Sequence, residues 1–329
     1  MLNPQDSEQR SRLLSLKLRA LVRDHLGTDP EGTAELFALG SAFITATDVW
    51  VLIDGDASRS LGPVLAWTAK YERPVQILTE QHAGLLARRA SLFDVALTVW
   101  QVDDRSLSPA VAEPYAARVE PKPEHLAFID LIESSGANPV IEHGVVVGEV
   151  RGLEMCRVVD DATTGVSRLE VGMGVNDREA FAMVHGEMPT EEAMRNVIAS
   201  VAVHREPGAN SHPFNQFGAE RLHRWRALQN PRSIGFTKLE PVDPPTPRTN
   251  LKDAVPCAAF GTTDSGKLSA AIFVHGVDLD VVPFAVDVAA RLGAAEVSLV
   301  IRRRDITPSI QRLANMASIQ VRITTVSGN

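Results

Sequence analysis

A chain of 329 residues with 44% hydrophobic side chains is long enough to bury more than one core. Its formal charge of −8 excludes a generally basic nucleic-acid-binding surface and leaves any polyanion partner a restricted face. The two cysteines, Cys156 and Cys257, exclude a disulfide framework and cannot alone complete a four-ligand zinc site.

No run of about 18 apolar residues occurs, and no apolar stretch like that of a signal peptide follows the polar Met1 to Arg12. A cytoplasmic protein without a membrane partner is therefore expected. Leu13, Leu14, Leu21 and Val22, interleaved with Arg and Lys, predict an amphipathic helix over 7–26, and a second helix is predicted over 31–46. Apolar runs at 49–53, 75–78 and 96–102 alternate with helix-like stretches at 61–70 and 81–92, which is βαβαβ.

The C-terminal end repeats this order, with strands at 271–274, 297–301 and 319–325 around helices at 281–292 and 308–316. Strand, helix and strand recur over 29 residues from Trp50 to Leu78 and over 30 from Ala271 to Val300, so an internal repeat is a second reading beside two unrelated units. Proline-bearing stretches at 112–124 and 241–248 read as semi-rigid linkers. They divide the chain into residues 1–120, 121–248 and 249–329. The expected fold is α/β, a mostly parallel Rossmann-like sheet from two βαβαβ halves, which share one sheet in one of two arrangements, with an inserted αβββα domain.

That inserted segment reads as a helix at 124–134, strands at 140–150, 153–159 and 168–173, then a helix opened by a capping box, Asn176 with Glu179. A further start follows Pro189 at Thr190-Glu191-Glu192. The αβββα order, with acids on neighbouring strands, resembles the core of the PD-(D/E)XK nucleases. The resemblance implies Glu133 as the helix acid, Glu154 or Asp160 as the strand acid and Glu170 as the Glu-x-Lys glutamate. Gly172 stands where that motif's lysine belongs, which implies a catalytically degenerate site. Glu149, Glu154 and Glu170 are the candidate ligands of a Mg²⁺ ion, which takes one or two carboxylates plus water and phosphate. The alternative is that they are solvent-facing strand positions.

More widely, the strings Gly152-Leu153-Glu154, Leu169-Glu170-Val171-Gly172, His212-Pro213-Phe214-Asn215, Asn250-Leu251-Lys252-Asp253 and Gly276-Val277-Asp278 resemble an uncharacterised actinobacterial family, which implies no activity.

Other motifs offer other chemistry. Gly261-Thr262-Thr263-Asp264-Ser265-Gly266-Lys267-Leu268 is close to a Walker A loop, yet Leu268 replaces the Mg²⁺-binding hydroxyl and a β-like run follows, which favours a hairpin turn. Asp54 and Asp56 end the first strand, and Asp278 and Asp280 follow the matching strand of the last segment. Ligands of parallel sheets collect at such ends. Asp54-Gly55-Asp56 also resembles the Asp-x-Asp of haloacid-dehalogenase-type phosphatases, with Thr79 ending the next strand. Capping of the following helices is the alternative role.

Arg221, Arg224 and Arg226 on a basic helix with Trp225 are candidate nucleic-acid contacts. Arg302-Arg303-Arg304 at a strand end is a candidate phosphate site, and His143, His185, His204, His212 and His275 read as structural histidines. Two functions follow: a nucleic-acid-related protein with a nuclease-like middle, or a small-molecule or nucleotide-binding protein using strand ends. An interaction scaffold is the third.

Overall fold

The computed structural model describes residues 4–186, 191–206, 209, 212–247 and 255–326. The chain opens with α1 (Pro4–Leu26), then the hairpin β1 (Gly32–Phe37) and β2 (Gly40–Thr45), and β3 (Val49–Ile53). The helix predicted over 31–46 is thus a hairpin. Its glycines explain why: a Cβ on Gly40 would lie 1.9 Å from the Leu52 carbonyl oxygen, and one on Gly32 2.4 Å from that of Ile44. Only glycine lets the strands close to pairing distance there.

Next come α2 (Leu61–Thr68), β4 (Val75–Thr79), α3 (Ala83–Ala90), β5 (Leu97–Asp103) and β6 (Ser106–Pro109). The middle of the chain forms α4 (Pro123–Leu126), α5 (Ile129–Ser134), β7 (Asn138–Glu142), β8 (Val145–Val150), β9 (Leu153–Asp160), β10 (Ser167–Val171), α6 (Val175–His185), α7 (Glu191–Ala202) and α8 (Ala219–Gln229). The strand expected over 140–150 is split, because His143 and Gly144 both adopt positive φ between the partners Glu142 and Val145. Two consecutive left-handed residues make the tight turn that suits a hairpin's twist. The capping box is not formed: α6 starts from Gly174 with no side-chain cap. Pro189 and Thr190 lie outside the described residues, as do Asn250 to Asp253.

The chain ends with β11 (Phe236–Val242), β12 (Cys257–Thr263), β13 (Leu268–Phe273), α9 (Val281–Arg291), β14 (Glu296–Arg302), α10 (Pro308–Met316) and β15 (Gln320–Val326). Asp264, Ser265 and Gly266 sit in the turn joining β12 to β13, whose partners are Thr262 and Leu268. The Walker-like string is therefore a hairpin loop, with no helix behind it to receive phosphate.

Three sheets result. Strands β1 to β6 pair in sequence order; β3, β4 and β5 run parallel and their outer neighbours antiparallel. Strands β7 to β10 form an antiparallel meander. Strands β11 to β15 form the third sheet, antiparallel through β13 and parallel from β13 to β14. The fold is α/β, but the sheets are partly antiparallel and the terminal segments occupy separate sheets. The antiparallel neighbours of the first two sheets are joined by connections of two to six residues, too short for a parallel crossover, whereas helical crossovers join the parallel ones.

The chain divides into two compact units. Residues 1–115, 278–290 and 307–321 form the first, whose core includes Leu18, Val22, Phe43, Trp50, Leu52 and Leu78. Here α3 and α9 are tied by ion pairs of Arg88 and Arg89 with Asp287. Residues 116–277, 291–306 and 322–329 form the second unit. One unit boundary follows Tyr115, and β11 and β12, before and after residues 243–256, pair in one sheet within the second unit. Among the described residues no helix is long and apolar enough to cross a membrane.

Candidate functional site

In the second unit, α8 packs against the β11 to β13 sheet and divides its residues between two faces. Ala219, Leu222, His223 and Arg226 follow the i, i+3, i+4, i+7 spacing of one helix face and line a cavity of about 270 Å³. Arg221 and Arg224 turn elsewhere, 4% and 1% exposed, onto the buried carboxylates of the middle sheet.

Two strand ends complete one wall. His275 follows β13, and Arg302 ends β14; these parallel strands pair Phe273 with Val300, so the two residues reach the same carboxyl end. Such ends are where α/β sheets collect ligands. Arg302 Nε holds Asp305 at 2.5 Å, and Asp305 also accepts the Gly276 amide at 3.1 Å, which fixes the strand-end loop.

The opposite wall comes from the segment before α8. Arg205, buried, donates to the carbonyls of Arg151 at 2.9 and 3.1 Å, of Phe214 at 2.8 Å and of Phe217 at 3.1 Å. It staples that segment to the β8–β9 turn through carbonyl dipoles, so the acceptors carry only partial charge. Burial lowers its pKa to about 10. Glu206 and Asn215 also line the space. The staple needs α8 close to the turn, and Gly152 permits this: a Cβ there would lie 2.3 Å from the Arg221 carbonyl carbon.

Three polar atoms on lining residues are buried without a hydrogen-bond partner: Nε2 of His223, Nδ1 of His275 and Oδ1 of Asn215. Each such atom costs about 1–3 kcal/mol unless something satisfies it. His223 is 5% exposed; burial, then His275, Arg226 and Arg302, push its pKa down to about 4. His275 is lowered by burial and the same Arg302. Both imidazoles are therefore neutral at pH 7, and the guanidinium groups of Arg205, Arg226 and Arg302 stand against the carboxylates of Glu206 and Asp305. The arrangement can neutralise an anion and hydrogen-bond its neighbouring atoms.

The carboxylates proposed for Mg²⁺ are placed otherwise. Glu149, buried, meets Arg221 at 3.0 Å and Arg224 at 3.2 Å, and Glu142 joins the same pair. Burial would raise the Glu142 pKa, but Arg224 and Arg221 bring it down to about 2. Glu154 pairs with Arg157 at 2.7 Å, and Glu170 with Arg168 and Arg178 at 2.9 and 3.1 Å. Guanidinium groups already supply the charge a cation would bring, and among the described residues no three His, Cys, Asp or Glu side chains form a metal-holding group. Asp160, the alternative strand acid, is held by Lys122, His125 and Ser167.

Arg221 and Arg224, read as nucleic-acid contacts, are interior ion-pair partners instead; a buried guanidinium cannot reach a phosphate backbone. Only Arg226 of that trio reaches a cavity. Trp225 donates to Asn138 Oδ1 at 3.0 Å.

The acids at the first unit's strand ends are likewise engaged. Asp54 pairs with Arg10 at 2.6 Å, and the Thr79 hydroxyl donates to the Gln81 carbonyl at 2.7 Å. Asp56 accepts the Ser58 amide at 2.8 Å, a local turn contact. Asp278 pairs with Arg59 at 2.6 Å, and buried Asp280 accepts the Gly62 amide at 2.9 Å and Arg89 at 3.2 Å. The two loops thus meet in a closed contact. Burial still pushes the Asp280 carboxyl up to about 7.

Of the cavity residues, Arg226 and Arg302 carried a functional expectation in the sequence, whereas His275 read as structural and Asn215 carried no chemistry. The signal available for His223 was its spacing with Arg226 on one helix face. No family model matches the chain, and no curated protein and no solved structure is similar to it.

Proposed function

We propose that the second unit is a binding module for a small anionic ligand, seated between the α8 face and the carboxyl ends of β13 and β14. The observation that carries this is the pairing of a net positive lining with the unpartnered, buried Nε2 of His223. A cavity walled by Arg205, Arg226 and Arg302 favours negative charge, and burial strengthens each interaction by lowering the local dielectric. This keeps the small-molecule reading of the sequence while moving its residues from Asp54, Asp56, Asp278 and Asp280 to the arginine–histidine cavity.

The nuclease-like reading draws no support from side-chain placement, because Glu149 pairs with Arg221 and Arg224 while Glu154 and Glu170 pair with Arg157, Arg168 and Arg178. We also read the terminal segments as copies of one unit. In favour stands a shared element order, an antiparallel strand pair followed by βαβαβ, and the same change from antiparallel to parallel pairing at the third strand.

The test is thermal unfolding of the full chain against inorganic phosphate at fixed ionic strength. Stabilisation that grows with the logarithm of phosphate concentration, and is lost in Arg226→Gln, is expected. No shift in the wild type beyond that given by chloride at equal ionic strength would overturn the reading.

A further inference from the structure

Every sheet ends in strands that pair on one side only, and the chain blunts most of those edges. The edge strands β6 and β7 carry Pro109 and Pro139, which have no amide to donate. The edge strand β11 carries Pro241 and a register shift between Phe236 and Lys238, while β10 and β15 carry the charged Arg168 and Arg322. Among the described residues, β1 is the edge strand with no proline, no basic residue and no register shift.

Which groups β1 leaves open follows from the hydrogen bonds of β2. The Asp54 amide donates to the Leu39 carbonyl at 2.8 Å, and the Thr45 amide to the Asp48 carbonyl at 3.0 Å, so the odd-numbered residues from Leu39 to Thr45 bond toward β3. Even-numbered Gly40, Ala42 and Ile44 then bond to their partners Phe37, Glu35 and Thr33 on β1. Gly32, Ala34 and Leu36 are left, each directing an N–H and a C=O away from the sheet.

A second copy of β1, run antiparallel, complements this edge. Pairing Ala34 with Ala34 of the second copy sets Leu36 opposite Gly32, and this register joins all three outward residues of both copies. A slide of two residues one way sets Leu36 opposite Pro30, which has no N–H; the other way sets Gly32 opposite Ala38 in the hairpin turn. Leu36, 72% exposed in the single chain, fills the space over the side-chain-free glycine. On the other face Glu35 meets Thr33 and not its own copy, and its carboxylate is already held by Tyr71 Oη at 2.7 Å and Lys70 Nζ at 3.3 Å. No like charges are set directly opposite each other.

We infer that β1 is a self-association edge, through which two copies of the chain form a two-fold dimer with one continuous sheet. Main-chain hydrogen bonds at Gly32, Ala34 and Leu36 hold it, and the fit of Leu36 over Gly32 fixes its register.

The test is sedimentation of the full chain at micromolar concentration, with amide hydrogen exchange resolved along β1. A mass of twice the 35.6 kDa chain is expected. It should persist at about 1 M salt, because no ion pair spans this interface and screening relieves the repulsion between chains of net charge −8. The amides of Ala34 and Leu36 should be protected like those of Glu35 and Phe37, although only the latter are bonded within one chain. Ala34→Pro, which removes an outward amide, is expected to give monomers, with a urea melt reporting that the fold is kept. Leu36→Lys leaves the backbone unaltered and should weaken the dimer at least about tenfold. A monomeric wild type would overturn the inference. So would a dimer whose Ala34 and Leu36 amides exchange freely, or one that withstands both substitutions.

Discussion

His223 and His275 lie with ring centroids 5.8 Å apart and planes 21° from parallel, the first on α8 and the second just past β13. Burial of His223 disfavours its charged form most, and His275, Arg226 and Arg302 close by add to that penalty.

That relationship sets a pH dependence. The folded-state pKa of His223, about 4, lies below the ordinary histidine value of 6.5, so the unfolded chain binds the extra proton first. Stability is fully present above about pH 6.5 and falls as the pH drops toward 4, by on the order of 3 kcal/mol at the lower limit. Buried Asp280, its carboxyl pushed up to about 7, titrates in the same window with the opposite sign, so the slope is read as the difference between wild type and His223→Gln in urea unfolding from pH 7 to 4. An unchanged slope in the variant would place the titrating group elsewhere.

A second acid-sensitive window lies lower. Glu142, held near 2 by Arg224 and Arg221 against the cost of burial, contributes stability above its ordinary value of 4.5 that is lost as the pH falls toward 2. Removing one partner should cost more than removing both charges: Arg224→Ala is expected to destabilise by about 3–5 kcal/mol at pH 7. Wild-type stability in Arg224→Ala would mean that the guanidinium is not buried against Glu142 and Glu149.

The thiols should be inert in the folded protein. Burial pushes both Cys156 and Cys257 up to about 12, and the thiolate is the reactive form. A thiol reagent at pH 8 should modify neither until denaturant is added, then both. Rapid labelling of either one under native conditions would refute this placement.

Gly152→Ala should disturb stability and ligand binding together. The glycine has φ of +81°, and its neighbour across the gap is the main chain of α8, which cannot swing aside as a side chain would. A loss of about 2 kcal/mol or more is expected, together with weakened phosphate protection, since α8 carries His223 and Arg226. A wild-type melting temperature would show that α8 does not approach the turn this closely.

Much of the element order was legible from local pattern. The apolar run at 49–53 reappears as β3, the stretch at 308–316 as α10, and Asp264-Ser265-Gly266 as a hairpin turn, because hydrophobic period and turn chemistry act within a few residues. The hairpin of β1 and β2 was not legible, since Gly32 and Gly40 are required by the Ile44 and Leu52 carbonyls brought near only by pairing.

The site shows the same division. The sequence by itself determined that Arg302 ends a strand and that Arg221, Arg224 and Arg226 share a helix. Tertiary structure alone decided that Arg221 and Arg224 face Glu142 and Glu149 while Arg226 faces a cavity. A helix surface has more than one side, and which side meets buried carboxylates depends on β7 and β8, about 80 residues away in the chain. Charge and spacing are local properties; the surroundings that a charge meets are set by long-range packing.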